Sequence, residues 1–478
     1  MIPENRTVIL GRWVLAETKN GMELLENHYV VVEGSSIAAV TKERPADADK
    51  YIELDQALVL PGFVNIHNHS FSAPIFRGLI EDVSEATLGG NYVYSFLLPM
   101  GELAADVLDQ DEQRAIVELA MLELIKTGST TILDMWRINQ EFFFDVAKQM
   151  GIRAYGCPYQ WSSPNLGIDA DGRPTYGGEG ADTGLERAIE IFHRYDEGPG
   201  GRIRAGLAPH GVDTCEPELL RKVRATASEL GCPISIHVSQ SELEVDVIRA
   251  RYDKTSIEHL RDLGFLGPDV VVGHCIYATD SDLAILRDSG ATLATCPLTY
   301  ARVGVTAPYH RFRDSGVGLG FGTDGYCLDI ISEFRISGLL AKTHSGRGDA
   351  GSAIDLITTA TMGGAAALGR NDIGVIAPGA KADLIVVDMR KPHLFPVWDP
   401  LRALVWNGSG ADVSSVFVDG ELLVENGTFL RADPNDIMDR AGRALNNLWS
   451  IAAERGLLKR WPIAVPSASD PGSSQKFS

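Results

Sequence analysis

Eight short apolar segments recur along the middle of this chain, and stretches of helical character separate them. The segments are residues 58–66, 130–135, 153–160, 203–208, 233–238, 270–275, 292–298 and 317–323. Apolar strands that alternate with helices are typical of parallel βα units. Eight such units predict an α/β protein with a closed, TIM-like (β/α)8 barrel, whose catalytic residues sit at the carboxyl ends of the strands.

Titratable side chains stand at the ends of these predicted strands. They are His67 and His69 after the first strand, His210 after the fourth, His237 at the end of the fifth, His274 at the end of the sixth and Asp324 after the eighth. The carboxyl ends of barrel strands meet at one mouth of the barrel. We therefore expect these six side chains to converge, although they are widely separated in the sequence.

His67 and His69 form a His-x-His pair at the end of a strand. Residues i and i+2 of a strand point to the same face, so the two imidazoles project side by side. Neutral imidazole is a common ligand of zinc, iron, cobalt and nickel. A lone His-x-His pair is equally compatible with a solvated or packed pair, and the histidines downstream favour the metal interpretation.

Strand-like segments also lie at both ends of the chain. Those near the start are 8–15, 28–33, 36–40 and 51–54, and those near the end are 382–388, 413–419 and 422–424. We expect residues 1–58 and 376–430 to form one small discontinuous β-sandwich domain beside a barrel of residues 59–375. Residues 431–465 are expected to form a helical extension, and 466–478, rich in Ser, Pro and Gly, a disordered tail.

Composition excludes several classes of partner. The formal net charge of -21 repels nucleic acid phosphates and anionic lipid headgroups. There is no apolar run long enough to span a bilayer and no signal-peptide pattern at the start. The six cysteines contain no Cys-x-x-Cys spacing, which suits free thiols in a reducing compartment. We expect a cytoplasmic protein that binds neither nucleic acid nor membrane.

Several motifs together resemble those of the amidohydrolase superfamily. They are Pro-Gly-Phe-Val-Asn-Ile-His-Asn-His at 61–69, Ala-Pro-His at 208–210, His237, Gly-His-Cys at 273–275, Cys-Pro at 296–297 and Gly-Thr-Asp-Gly at 322–325. The chain is similar to the mononuclear branch that contains cytosine deaminase, atrazine chlorohydrolase and phenylurea hydrolases. The stretch 374–384 resembles the segment that leads such proteins from the barrel into a composite β domain.

The resemblance implies a metal site and two acid-base groups. His67, His69, His237 and Asp324 would bind one divalent ion, expected to be zinc, with iron, cobalt or nickel as alternatives. A divalent ion with these ligands keeps a positive charge and lowers the pKa of water toward neutrality. Asp324 would also accept the proton of that water, and His274 would orient the nucleophile and stabilise the developing oxyanion.

Four further residues are candidates for binding the substrate. The resemblance implies that His210 lies in the pocket, although a strand-end histidine also often caps a loop. Arg77 is a candidate for the pocket wall or for a salt-bridged position on its rim. Trp136 and Tyr300 belong to a set of aromatic residues near strand ends, which favours an aromatic or apolar substrate. The others in that set are Phe71, Phe76, Tyr92, Tyr94, Trp161 and Tyr326.

Gln240 departs from the pattern of the related deaminases. Those enzymes carry a glutamate three residues after the fifth-strand histidine, where this chain reads His237-Val-Ser-Gln240. An amide forms hydrogen bonds but cannot accept and return a proton. Glu242 and Glu244 are nearby in sequence but lack the expected spacing. This departure argues against simple ring deamination.

The expected function is the metal-dependent hydrolysis of a non-peptide carbon–nitrogen bond in a small aromatic or heteroaromatic compound. An aryl urea, a carbamate, an amide or a substituted triazine fits, since a good leaving group makes little demand on the missing glutamate. The alternatives are an aminohydrolase of a purine, pterin or triazine, a chlorohydrolase, and a barrel that binds small molecules without catalysis. We also expect a homo-oligomer.

Overall fold

The computed structural model of the protein describes residues 6–78, 93–136, 140–163, 165–168, 174–177, 183–306 and 308–456. Tyr92 and the predicted disordered tail lie outside these ranges. Within them, no helix combines the length and hydropathy that crossing a bilayer requires.

The strands fall into three groups along the chain. The first group is β1 Arg6–Thr18, β2 Gly21–Glu33, β3 Ser36–Thr41, β4 Lys50–Glu53 and β5 Ala57–Pro61. The second is β6 Phe63–Asn68, β7 Ser129–Trp136, β8 Arg153–Gln160, β9 Asn165–Ile168, β10 Pro174–Gly177, β11 Ile203–Ala205, β12 Ala208–Pro209, β13 Ile234–Val238, β14 Val270–His274, β15 Thr292–Thr295 and β16 Gly318–Phe321. The third is β17 Leu384–Asp388, β18 Val413–Val418, β19 Glu421–Glu425 and β20 Thr428–Phe429.

The second group forms the barrel, except for β9 and β10, which pair with each other in a separate antiparallel sheet. Strands β6, β7, β8 and β11 pair in parallel in one sheet, with β12 also on β8, and β13 to β16 pair in parallel in another. The parallel bridges Leu207–Ile234 and Asn68–Asp324 join the two sheets on both sides. The ring closes through these bridges, and the predicted barrel fold is confirmed. β11 and β12 share one of its positions.

Helices connect the barrel strands and extend beyond them. They are α1 Ala73–Phe76, α2 Leu98–Val107, α3 Gln110–Lys126, α4 Phe142–Met150, α5 Leu185–Tyr195, α6 Pro217–Leu230, α7 Glu242–Tyr252, α8 Ser256–Asp262, α9 Asp280–Ser289, α10 Pro297–Ala301, α11 Tyr309–Ser315, α12 Ile330–Ser345, α13 Ala353–Thr358, α14 Gly364–Ala367, α15 Pro400–Asn407 and α16 Pro434–Glu454. Side-chain hydrogen bonds cap the first turns of several helices and fix where those helices begin. Asp109, Thr255 and Thr279 each form a capping box, which satisfies backbone N–H groups that a helix leaves without partners.

The first and third groups of strands join in one sheet. Among the described residues this sheet has nine strands, in the order β20-β19-β18-β17-β5-β1-β2-β3, with β4 on β1. Alternate side chains face different cores, as a strand requires. Leu58 and Leu60 pack into the large core that includes the barrel helices, whereas Ala57 and Val59 pack into a smaller core of the sheet itself. The two chain ends therefore build the discontinuous β unit beside the barrel.

The structure divides the predicted strand 58–66 into two strands at Gly62. β5 belongs to the nine-stranded sheet, and β6 belongs to the barrel. A Cβ atom on Gly62 would lie 2.1 Å from Oγ1 of Thr130, so the chain crosses from sheet to barrel where only glycine fits. Hydrophobicity alone does not reveal this division, because both strands are buried and apolar.

A buried arginine links the barrel to the sheet. Arg153 begins β8, and its guanidinium donates to both carboxylate oxygens of Asp383, at 2.7 and 3.1 Å. It also donates to Oδ1 of Asp419 at 3.2 Å. Burial raises the pKa of Asp419, but Arg153 and Lys381 outweigh this effect and lower the pKa below its ordinary value. The ion cluster holds the start of β8 against the strands from the carboxyl end.

Candidate active site

Five of the predicted site residues meet at the carboxyl ends of the barrel strands. His69, His237, His274 and Asp324 line one cavity of about 830 Å³, a volume that includes its opening to solvent, and His67 lies directly beneath them. The ring of His67 is fully buried, and its centroid lies within 5.0 Å of those of His69, His237 and His274. The closed barrel thus brings together residues that span most of the sequence.

The backbone fixes the orientation of two imidazoles. Nδ1 of His69 donates to the carbonyl of Met135 at 3.0 Å, and Nδ1 of His237 donates to the carbonyl of His210 at 2.5 Å. A carbonyl oxygen only accepts, so each Nδ1 carries the hydrogen. In a neutral ring Nε2 then presents a lone pair, and the two Nε2 atoms lie 3.5 Å apart. Only the protonated form of His69 can donate from Nε2 to Asp324, whose Oδ1 lies 3.3 Å away. Such carbonyl contacts commonly orient metal-binding histidines.

His67 and Asp324, together with His69 and His237, form the set of four candidate metal ligands, called the donor set below. Both ring nitrogens of His67 are buried without a hydrogen-bond partner among the described residues. Oδ1 of Asp324 lies 3.3 Å from Nε2 of His69 and 4.0 Å from Nε2 of His67. One ring nitrogen from each of His67, His69 and His237 lies within 4.8 Å of the others. Three imidazoles and a carboxylate in this arrangement fit a divalent metal ion.

A buried polar network holds the donor set in place. Nδ2 of Asn65 donates to Oγ1 of Thr323 at 2.7 Å, and that hydroxyl donates to Oδ1 of Asn68 at 3.3 Å. Asn68 in turn donates to Asp134, which also accepts from the backbone N–H of Ser70 at 2.8 Å. Burial raises the pKa of Asp134 to about 6. The sequence analysis missed this network, whose only signal is polar residues between the apolar positions of β6 and β7.

Burial and mutual repulsion keep most of the site histidines neutral. Burial, with the neighbouring histidines, lowers the pKa of His67 well below its ordinary range and that of His237 to about 3. Burial also lowers the pKa of His69, but the hydrogen bond and charge of Asp324 raise it overall. The pKa of Asp324 is depressed, because its hydrogen bond with His69 and the charges of the histidines outweigh burial. Neutral imidazoles and an ionised carboxylate are the forms that bind metal.

His274 lies beside the donor set on the next strand. Its ring stacks on that of His237 at 5.4 Å, and Nδ1 is buried without a partner among the described residues. Burial lowers the pKa of His274 to about 4, so the ring is neutral near pH 7. The backbone of His274 has φ +76° and that of Asp324 has φ +57°. Non-glycine residues seldom adopt such angles, which often occur at functional sites.

Aromatic side chains form much of the remaining wall. The cavity is lined by both predicted residues Trp136 and Tyr300, together with Phe71, Phe76, Met135 and Tyr326. The ring of Tyr300 packs edge-on against His274 at 5.1 Å. Such a wall suits a flat aromatic or heteroaromatic ligand.

His210 and Arg77 occupy different positions relative to the cavity. His210 lines it, with its ring stacked on Trp161 at 4.3 Å and its Nδ1 3.1 Å from Oγ1 of Thr214. Arg77 is not among the lining residues, and its side chain pairs with Glu123 near the surface. The ion pair fits the second of the two positions expected for Arg77, salt-bridged on the rim, and its Nη2 also donates to the carbonyl of Tyr326, a residue of the wall, at 3.4 Å.

Gln240 lines the cavity, and no glutamate takes its place there among the described residues. The carboxylate of Glu244 is buried behind the loop, where it accepts from the backbone N–H groups of Ser239 at 2.7 Å and Gln240 at 2.9 Å. Glu242 is exposed at the start of α7. Glu244 therefore fixes the backbone that carries Gln240 but does not reach the cavity.

Gln140 is a second amide on the cavity wall, and the sequence analysis did not identify it. Its side chain is buried, and Nε2 has no partner among the described residues. It follows β7, the strand that also supplies Trp136. Only its position after a barrel strand could have drawn attention to it.

The chain matches the model of the Amidohydrolase family over residues 58–423. It is 31% identical over 436 residues to a 5'-deoxyadenosine deaminase of Methanosarcina acetivorans, which covers 89% of this chain and 94% of that protein. It is 30% identical over 423 residues to a 5-methylthioadenosine/S-adenosylhomocysteine deaminase of Pyrococcus abyssi, with 86% and 92% covered.

Solved structures share the fold. An adenosine deaminase from Xanthomonas campestris with bound zinc superposes with a TM-score of 0.82 at 24% identity, covering 94% of this chain and 100% of that one. An atrazine chlorohydrolase from Arthrobacter aurescens in complex with zinc has a TM-score of 0.82 at 23% identity, covering 92% and 100%.

The names of the relatives bear on the function expected from the sequence. They favour its alternative, an aminohydrolase, over hydrolysis of an aryl urea or a carbamate. By its family match and its relatives, this chain belongs to the amidohydrolase family and is an enzyme that hydrolyses carbon–nitrogen bonds.

Proposed function

We propose that this protein is a metal-dependent aminohydrolase that releases ammonia from an amino-substituted, purine-like heterocycle. One observation carries the proposal: His67, His69, His237 and Asp324 present converging donor atoms at the base of an aromatic-lined cavity, with a neutral His274 beside them. The names of the relatives support the class of substrate, since both act on adenine-containing compounds.

The donor set supports one metal ion, with zinc as the expected ion. The three imidazoles share a single centre, and no lysine lines the cavity among the described residues to bridge a second ion. A divalent ion held there supplies a Lewis acid that lowers the pKa of water toward neutrality. The zinc found in the two solved structures agrees with the identity of the ion.

The residues around the donor set divide the proton transfers between them. Asp324 is ionised, so its carboxylate accepts a proton from the attacking water and returns it to the leaving amine. His274 is neutral and adjacent, and it hydrogen-bonds the oxygen that forms on the reacting carbon. Trp136 and Tyr300 exclude water from the ring of the substrate. Gln240 contributes hydrogen bonds only.

The test is a product analysis across matched compounds. Metal-loaded protein is incubated with aminopurines, aminopteridines, aryl ureas and carbamates, and the products are identified by mass while ammonia is quantified. The proposal expects one ammonia per turnover and a product 1 Da heavier, as replacement of an amino group by oxygen requires. Turnover of the ureas or carbamates, with no ammonia from any aminoheterocycle, would contradict it.

Displacement of a halide from a triazine is the second candidate. Gln240 favours it specifically, because chloride leaves without needing a proton from an acid. Chloride release from a chlorotriazine, compared with ammonia release from the matching aminotriazine, separates the two functions. We expect the amino compound to react faster.

A further inference from the structure

The carboxyl group of Glu244 lies behind the active site, where it accepts three hydrogen bonds. Its Oε1 accepts from the N–H of Ser239 and from the hydroxyl of Ser256, both at 2.7 Å, and its Oε2 accepts from the N–H of Gln240 at 2.9 Å. The side chain is fully buried, and burial, with the nearby charge of Asp213, raises the pKa of Glu244 to about 8. A carboxyl group accepts from both N–H groups in either protonation state.

One peptide group links this carboxyl group to the backbone after His274. The C=O of Val238 and the N–H of Ser239 belong to the same planar unit. The N–H donates to Glu244, and the C=O accepts from the N–H of Cys275 at 3.0 Å. The orientation of this peptide plane depends on both partners, so loss of the Glu244 contact displaces the acceptor of Cys275.

The next peptide group makes a second link of the same kind. It consists of the C=O of Ser239 and the N–H of Gln240. The N–H donates to Glu244, and the C=O accepts from the N–H of Tyr277 at 3.0 Å. Two consecutive peptide groups therefore connect one buried carboxyl group to the segment that starts at His274.

Both ends of this connection have an unusual backbone conformation. The angle φ is +48° at Ser239, +76° at His274 and +51° at Cys275. Residues other than glycine seldom occupy this left-handed region, and they remain there only where surrounding contacts hold them. Glu244 and the two peptide groups supply such contacts at Ser239 and Cys275.

We propose that Glu244 is a positioning residue, which sets the orientation of the His274 imidazole through the peptide groups 238–239 and 239–240. The inference rests on the proposed aminohydrolase function, in which His274 hydrogen-bonds the oxygen that forms on the reacting carbon. Misplacement of such a group by about 1 Å lowers turnover by about 100-fold. Glu244 thus acts on the reaction without reaching the cavity.

Glu244→Gln tests this role with little change in shape. The NH2 group of glutamine cannot accept, so one of the two backbone N–H groups loses its acceptor. We expect kcat for ammonia release from an aminopurine to fall ~10-fold or more, with unchanged metal content by elemental analysis. KM should change by less than ~2-fold, because the oxygen in question forms only in the transition state. Glu242→Gln, at an exposed position of α7, is the matched control and should keep wild-type kcat.

A double-mutant cycle separates the positioning of His274 from general support of the fold. In a His274→Ala background the group to be positioned is absent, so Glu244→Gln should lower kcat further by less than ~2-fold. An equal fold-loss of kcat in both backgrounds would overturn the inference, because the two residues would then act independently.

Hydrogen exchange supplies a readout that requires no turnover. The amides of Cys275 and Tyr277 should exchange at least ~10-fold faster in Glu244→Gln than in the wild type, whereas those of β15 should keep their rates. Unchanged exchange at Cys275 and Tyr277 would overturn the inference as well.

Ser256→Ala is the second variant if Glu244→Gln does not fold. It removes the hydroxyl on Oε1 and leaves both N–H contacts in place, so kcat should fall by ~3-fold. This loss should disappear in the His274→Ala background, and its persistence there would contradict the inference. If no aminoheterocycle releases ammonia, the proposed function fails, and the exchange rates of Cys275 and Tyr277 still decide whether Glu244 holds the segment after His274.

Discussion

Nε2 of His69 and Nε2 of His237 lie 3.5 Å apart, although 168 positions separate these residues in the chain. Each ring is held by an Nδ1–H donated to a backbone carbonyl, of Met135 or His210. Met135 belongs to β7, which pairs with the strand that leads into His69, and His210 directly follows β12, beside the strand that carries His237. The barrel itself therefore sets the tautomer and direction of both imidazoles. This arrangement underlies the predictions on metal binding.

Replacing His69 by alanine should remove both metal and activity. The change takes away one of three converging imidazoles and the hydrogen-bond partner of Asp324. We expect less than about 0.1 equivalents of metal after dialysis, measured by elemental analysis, because a lost ligand weakens such sites severely. His193→Ala, on the exposed side of α5, is the matched control. Full metal occupancy in His69→Ala would place the site elsewhere.

Replacing His274 by alanine should preserve the metal and reduce turnover. His274 stacks on His237 but is assigned to the reacting oxygen, so kcat should fall by roughly 10²-fold or more. Elemental analysis and steady-state kinetics on the same preparation provide the two readouts. Metal loss would make His274 a ligand, and near-normal kcat would leave it only a packing role.

Replacing Gln240 by glutamate should broaden the range of substrates. A carboxyl group in this position can protonate a ring nitrogen, a contribution of about 10²-fold or more for a positioned acid. We expect kcat/KM for adenine to rise at least ~10-fold. Gln149→Glu on exposed α4 is the control. Efficient ammonia release from adenine by the wild type, with no gain in the variant, would show that a glutamine at position 240 does not limit deamination.

Replacing Asp419 by asparagine should weaken the link between sheet and barrel in a pH-dependent manner. The folded pKa of Asp419 lies below its usual 3.8, so its contribution to stability is complete above pH 3.8 and is lost as the pH falls through the folded value. Asparagine tolerates the φ of +54° at this position. At pH 7 the variant should lose about 1–2 kcal/mol in unfolding free energy, the scale of a charge-assisted hydrogen bond.

Urea denaturation at pH 7 and below pH 3.8 checks this expectation. The difference between wild type and Asp419→Asn should shrink as the pH falls from 3.8 through the folded pKa, because the unfolded carboxyl group takes up a proton first and the native one only below its lowered pKa. A difference that stays constant with pH would assign the loss to packing and not to the charge of Asp419.

The sequence predicts the barrel and the metal donors because both have local signals. Alternating apolar segments indicate the eight strands, and the His-x-His pair and strand-end residues lie at their carboxyl ends. The division at Gly62 is not visible in the sequence, because it depends on the approach of Thr130 from another strand. Neighbouring apolar residues look alike whether they face the barrel or the sheet.

The substrate wall is harder to predict than the metal site. Trp136 and Tyr300 do line the cavity, whereas Arg77 forms an ion pair with Glu123 of α3 on the rim. Gln140 has no motif around it, and its buried amide becomes noticeable only when the cavity is seen. Side-chain partners distant in sequence decide each of these cases.

A metal titration that follows ammonia release tests the central claim most directly. Metal-free protein receives zinc in steps of a fraction of an equivalent, and the rate of ammonia release from an aminopurine is measured at each step. The account predicts a linear rise with a break at one equivalent per chain, and no rise in His69→Ala or in Asp324→Ala. A break at two equivalents, or full activity without metal, would contradict it.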